Sequence, residues 1–223
     1  MTSSADAKHS PRPIVVWGGG GHGHVVADLL RAIGGWTLVG FLDNRNAPGT
    51  RIMDVPVLGD ADRLPGLRQH GVEHVVVAVG DPAARARMLA QAQGLGLRMP
   101  TLIHPSCVVS SSATIGQACV LCAGAILGPQ AVLGAGVILN TRASVDHDDR
   151  IGDFSHVAPG ATICGFVTIG RETWIGAGAV VRDHLSIGDR VMVGAGSVVL
   201  KPVPDGLTVY GSPAVPQSKE RPA

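Results

Sequence analysis

The sequence predicts an α/β N-terminal domain, half of a doubly wound Rossmann-type sheet, followed by a parallel β-helix of about five coils. Three observations carry this. From Ile103 to Val199 an aliphatic residue returns at every sixth position without a miss. The chain holds 31 glycines and only 3% aromatic residues within a 45% hydrophobic composition, so its core is made of small and branched aliphatics in narrow layers. Ahead of the repeat, a glycine-rich turn at 18–23 stands between an apolar run and a helical run, as in a phosphate-cradling βα unit.

In chain order, the polar opening MTSSADAKHSPR predicts a disordered tail over 1–12. It has no apolar leader, and no later run of eighteen apolar residues exists, so a cytoplasmic protein is expected. PIVVW reads as a strand, 25–33 as a helix, TLVGFLD as a strand ending at Asp43, and HVVVAVG as a strand ending at Gly80. DPAARARMLAQAQGLG reads as a second helix, with Asp81 as its cap and Pro82 in its first turn. This domain, 13–101, is half of a dinucleotide fold. It offers a mononucleotide-like moiety the carboxyl ends of its strands but lacks the half that grips a nicotinamide nucleoside, and a nucleotide-sugar fits it better.

The repeat occupies 102–200, and 201–223 forms a closing segment. Gly follows the aliphatic at 116, 128, 134, 152, 170, 176, 188 and 194, as suits a corner where a side chain would collide. Four residues after each aliphatic comes a second register of small or apolar residues, and both registers are expected to point inward. Three six-residue units make one triangular coil, and stacking coils at about 4.8 Å pairs the backbone. Cys107 and Cys119 fall in the small inward slot, and Cys122 and Cys164 follow an aliphatic at corners, so all four are read as structural thiols. The formal net charge of +1 gives no electrostatic case for nucleic acid or anionic membrane and favours small-molecule chemistry.

One inward slot holds a charge, Asp149, in VDHDDRIGDFSHV. An ion there costs stability unless paired, which marks the local backbone as serving more than packing. His147 lies two residues after Val145 on the outer wall, and one coil later stands Gly165, which opens a niche beside the imidazole. Histidine is poised to take a proton near neutrality, and the Gly165 N–H is a candidate donor to an oxyanion.

GGGGHGHVVADLL, VGFLDN, AVGD, IHPS, VDHDDRIGDFSHVAPGATICG and VYGSPA together resemble the bacterial hexapeptide-repeat acetyltransferases of 4-amino-4,6-dideoxy nucleotide-sugars, relatives of the sialic acid O-acetyltransferases. The resemblance runs from about Pro13 to Ala214. It implies a left-handed helix, acetyl-CoA as co-substrate without a metal, and a homotrimer with interfacial sites. By resemblance, Gly20, Gly21, His22, Asp43, Asn44 and Gly80 contact the nucleotide-sugar, and Asn140 supports the catalytic niche. His147 is the general base and Asp148 its acidic neighbour, where some relatives carry Glu. His156 and Gly165 line the acetyl-CoA thioester, and Ala177 and Ala195 flank the pantetheine arm. The implied reaction is N-acetylation of a UDP- or GDP-linked 4-amino-sugar for glycan biosynthesis. The alternatives are O-acetylation of a sialic-acid-like sugar, a γ-type carbonic anhydrase, which would need three zinc-binding histidines, and a non-catalytic nucleotide-sugar sensor. His184, like the remaining histidines, has no partner by spacing.

Overall fold

The computed structural model describes residues 10–217; residues 1–9 of the expected tail and 218–223 of the closing segment lie outside them. The apolar run of β1 (Arg12–Trp17) forms an inner strand of a five-stranded sheet. α1 (Gly21–Ile33) follows, then β2 (Trp36–Leu42), the short strands β3 (Arg51–Ile52) and β4 (Val55–Gly59), a one-turn helix α2 (Leu64–Leu67), β5 (His74–Val77) and α3 (Pro82–Gly94). The strand order is β3-β4-β2-β1-β5, and β1 pairs in parallel with both β2 and β5. α3 is capped as its sequence predicts, the Asp81 side chain accepting from the Ala84 N–H at 2.7 Å.

Several details differ from the sequence reading, among them the end of β5, which stops at Val77 rather than at Gly80. The antiparallel β3–β4 pair was not anticipated, because its two-residue register, Arg51 to Pro56 and Ile52 to Val55, shows no alternation long enough to read. α1 begins at Gly21 rather than at residue 25, which places Gly21 and His22 in its first turn.

The repeat folds into seventeen two-residue strands, from Leu102–Ile103 to Val198–Val199, each ending on the six-residue aliphatic. The first fourteen of these strands each pair in parallel with the strand eighteen residues on, as Leu127 with Val145. The resulting left-handed coils have three walls. Wall one carries Leu102, Val120, Ile138, His156, Trp174 and Met192; wall two starts at Val108 and wall three at Thr114. The aliphatic register is buried from Leu121 onward, but Ile103 is 37% exposed, since it sits on the first, open coil. At the corners the glycines are demanded by close approach: a β-carbon on Gly152 would lie 2.6 Å from Arg171 N of the next coil. Strands Thr208–Gly211 and Ala214–Pro216 then extend wall one and fold back on it. All four cysteines are free. Burial pushes the Cys119 and Cys122 thiols up to about 11 and about 12, which keeps them protonated and inert at neutral pH.

The outer side of wall one docks the N-terminal domain. Leu102, Val120 and Ile138 are buried in one apolar cluster with Val26, Leu29 and Leu30 of α1. Each buried side chain of this size contributes about 1.5–3 kcal/mol relative to exposure, so the domain sits against the wall through a hydrophobic contact. No helix among the described residues is long and apolar enough to cross a membrane.

Candidate active site

At the carboxyl ends of β1, β2 and β5 lies a cavity of about 740 Å³, lined by Gly20, Gly21, His22, Asp43, Asn44 and Gly80. A smaller hollow of about 340 Å³ continues it past Asn44 to Arg63. The glycines divide by task. Gly18 has φ of +119°, and a β-carbon there would lie 2.7 Å from the Ala78 carbonyl oxygen; one on Gly23 would collide with the Gly18 carbonyl. Those two allow the helix to cross the strand. Gly20 and Gly21 face open space, and the first turn of α1 has no side-chain cap, which leaves its N–H groups directed at the cavity for an anion.

Asp43 builds the neighbouring turn. Its Oδ2 accepts from the Gly19 N–H at 2.8 Å, and its Oδ1 from Arg45 N–H, Asn46 N–H and the Asn46 side-chain amide at 2.9–3.0 Å. Burial opposes the charge, but these donors outweigh it and hold the carboxyl below the usual range. Most of its acceptor capacity is therefore spent on shaping the cavity wall.

Beneath Gly80 lies His156, 4% exposed and tilted against Trp174 with ring centroids 4.2 Å apart. Asn140 Oδ1 accepts from the Thr141 N–H, which turns its Nδ2 donor toward His156 Nε2 at 3.0 Å. These partners assign the His156 proton to Nδ1, which donates to the Gly80 carbonyl at 3.3 Å. Burial, with the Arg85 cation behind it, lowers His156 to about 3. The same two causes lower His22 to about 4, and its buried Nε2 has no hydrogen-bond partner among the described residues. Both imidazoles are neutral at pH 7.

His147 stands at the corner between walls two and three. Its Nδ1 is 3.0 Å from Asp148 Oδ2, so that hydrogen bond, the largest influence, raises its pKa and leaves Nε2 free. The ring covers Gly165, whose N–H has no acceptor among the described residues. Asp149, fully buried, fastens this corner: its Oδ2 accepts from the Asp146 N–H and its Oδ1 from the Val167 N–H one coil later, at 2.9 and 2.8 Å. Burial raises its pKa to about 7.

An acid whose folded pKa exceeds its unfolded value binds more protons folded, so stability falls as pH rises from about 4 to about 7. Asp149→Ser should remove that slope and stabilise the protein above pH 7, because Ser155 fills an equivalent inward slot by accepting from the Thr173 N–H and donating to the Gly170 carbonyl. Denaturant melts of both proteins at pH 5 and pH 8 check this; an unchanged difference between the two pH values would show that Asp149 is not the titrating group.

Within one chain the candidate residues form three groups. The cavity residues, Asn140 and His156 are contiguous through Gly80. His147, Asp148 and Gly165 share the corner between walls two and three and do not line the cavity. Ala177 and Ala195 stack one coil apart, exposed, at the corner between walls one and two. The outer side of wall two, which separates the last two groups, exposes Val108 (65%), Ile126 (46%) and Val180 (38%).

Three residues escaped the sequence reading. Trp174 lies 3.4 Å from where a Gly80 β-carbon would sit. Phe166 packs edge to face with His147 at 5.1 Å and stacks face to face on His184 at 4.7 Å. His184 thus has a partner after all, and the eighteen-residue coil repeat that links 166 to 184 was the signal for it.

Comparison with known proteins gives the following. Residues 13–92 match the PglD N-terminal domain model, and 166–201 match the bacterial transferase hexapeptide (six repeats) model. The acetyltransferase domain of PglB from Neisseria gonorrhoeae, solved alone and in complex with acetyl coenzyme A, is 42% identical with a TM-score of 0.88; the match covers 92% of this chain and, for the structure solved alone, 100% of that one. PerB from Caulobacter crescentus, solved with CoA and GDP-perosamine, is 37% identical over 92% of this chain and 97% of that one, TM-score 0.88. WeeI from Acinetobacter baumannii is 28% identical over 92% of this chain and 100% of that one, TM-score 0.78.

Proposed function

The chain belongs to the hexapeptide-repeat nucleotide-sugar acetyltransferases with a PglD-type N-terminal domain, and from that membership we propose that it transfers acetyl from acetyl-CoA to the 4-amino group of a UDP- or GDP-linked 4-amino-4,6-dideoxy-sugar. The observation that carries this reading is His147, with Nδ1 on Asp148, Nε2 free, and the ring seated over Gly165. In the reading, the sugar amine attacks the thioester carbonyl directly. His147 Nε2 takes the amine proton as the C–N bond forms and returns it to the sulfur as the C–S bond breaks. The Gly165 N–H faces the oxygen on which charge develops. Residues 13–101 bind the nucleotide-sugar in the 740 Å³ cavity, and 102–200 carry the acetyl-CoA groove.

The separation of His147 from that cavity supports a homotrimer. A second chain packed on the exposed aliphatics of wall two would bring the His147 corner of one subunit beside the Ala177 and Ala195 corner and the His156 wall of the next. Cytoplasmic synthesis of a glycan precursor is the setting in which such a product is consumed.

An acetyl-CoA consumption assay over a panel of UDP- and GDP-linked 4-amino-sugars, GDP-perosamine among them, tests the reading. Turnover is expected with at least one member, calorimetry should show no binding of NAD, and sedimentation should give a trimer. A stable, active monomer, or tight NAD binding, would overturn it.

A further inference from the structure

Arg85 is 1% exposed, lies on α3, and forms no ion pair among the described residues. All five of its N–H donors go to backbone carbonyls. Nε donates to Gly136 at 2.8 Å, Nη1 to Val79 at 2.9 Å and Gly80 at 2.7 Å, and Nη2 to Phe154 and, at 3.2 Å, to Ser155. Two of these carbonyls belong to the cavity floor of the N-terminal domain, and three belong to adjacent coils of the β-helix. Ser155 immediately precedes His156, and the Gly80 oxygen that Arg85 holds is the one that accepts from His156 Nδ1.

A buried cation without a carboxylate is costly, and domain docking does not require one, because Leu102, Val120 and Ile138 already hold the domain by apolar contact. What a planar five-donor fork adds is a fixed distance and angle. We propose that Arg85 is a positioning residue for the acetyltransfer site, setting the height of Gly80 and the orientation of His156 so that the sugar cavity and the β-helix wall form one preassembled surface. This rests on the acetyltransferase reading of the cavity. The groups facing this cluster are His22, His156, Asp81 at the start of α3, and Cys119 behind the guanidinium. Their only fixed positive charge is Arg85, which also helps to keep both imidazoles neutral.

The test uses Arg85→Lys, which keeps the charge and loses the fork, and Arg85→Met, which loses both. In Arg85→Lys, KM for the nucleotide amino-sugar and the calorimetric Kd for GDP or UDP should rise at least tenfold. In Arg85→Met, histidine NMR should show the His22 and His156 titrations displaced upward, since the cation that helps burial to lower them is gone. In the unmodified protein, which needs no variant to fold, the same spectra should show His156 neutral and protonated on Nδ1 from pH 8 to pH 5. A merely structural arginine would lower the melting temperature of both variants and leave nucleotide affinity unchanged; that result overturns the proposal, as does an imidazolium or an Nε2–H tautomer of His156 at pH 6. If no amino-sugar of the panel turns over, the acetyltransferase reading fails, while the NMR and GDP or UDP binding results still decide the role of Arg85.

Discussion

His147→Ala is expected to lower kcat by about 10²- to 10⁴-fold, the usual worth of a general base, with KM for both substrates little changed and the assembly intact. The side chain is half-exposed at a corner, so its loss opens no cavity in the core, and a fall in activity of this size would be chemical rather than structural. The base must be unprotonated to act, and Asp148 raises its pKa above the ordinary histidine value of 6.5. The acidic limb of kcat/KM should therefore lie above pH 6.5 in the wild type and move downward in Asp148→Asn, which keeps a hydrogen-bonding group but removes the charge. Cys164, next to Gly165, has its thiol pushed up by burial, and Cys164→Ala should be nearly silent. A covalent acetyl group on any cysteine by mass spectrometry, or near wild-type turnover by His147→Ala, would put the reacting group elsewhere.

What could be read in the sequence divides along the same line as the fold itself. In the β-helix, each coil repeats the last and the strand ladder runs at a spacing of eighteen residues, so the walls, the corner glycines, the niche at Gly165 and the misfit of Asp149 follow from one period. The N-terminal domain was legible where long apolar runs alternate with helical segments, and illegible at β3–β4, where two residues per strand leave no pattern. Contacts made across the domain interface carried no signal in the period or in local pattern. Nothing in ARARM shows that Arg85 gathers carbonyls 51, 69 and 70 residues away, because those distances exist only once α3 is laid against the coils. The same holds for His156. The period places it on the outer side of a wall, where it would be a surface residue; that this wall is covered by the N-terminal domain, and that the imidazole is consequently buried and neutral, depends on hydrophobic docking that no local pattern encodes.

The glycine beneath the His147 imidazole permits a sharper test of the niche than removal of the proposed base does. A β-carbon on Gly165 would lie 2.6 Å from His147 Cε1 and 2.7 Å from Nε2, far inside van der Waals contact, so in Gly165→Ala the ring has to move. Asp148 tethers it through Nδ1, and Phe166 packs against it edge to face, which leaves a tilt outward, away from the niche, as the available response. A displacement of about 1 Å at a reacting atom is worth about 10²-fold, and kcat is expected to fall by that factor. Gly165 is not among the residues with positive φ, so alanine suits its backbone, and the thermal midpoint should stay close to wild type. The double variant Gly165→Ala with His147→Ala separates this account from general damage. If the alanine acts only by displacing the imidazole, it costs nothing once the imidazole is gone, and the double variant should be no slower than His147→Ala alone. A further hundredfold loss in the double variant would mean that Gly165 serves the reaction independently, through its N–H or the space it leaves, and that the ring's position over it is not what the niche provides.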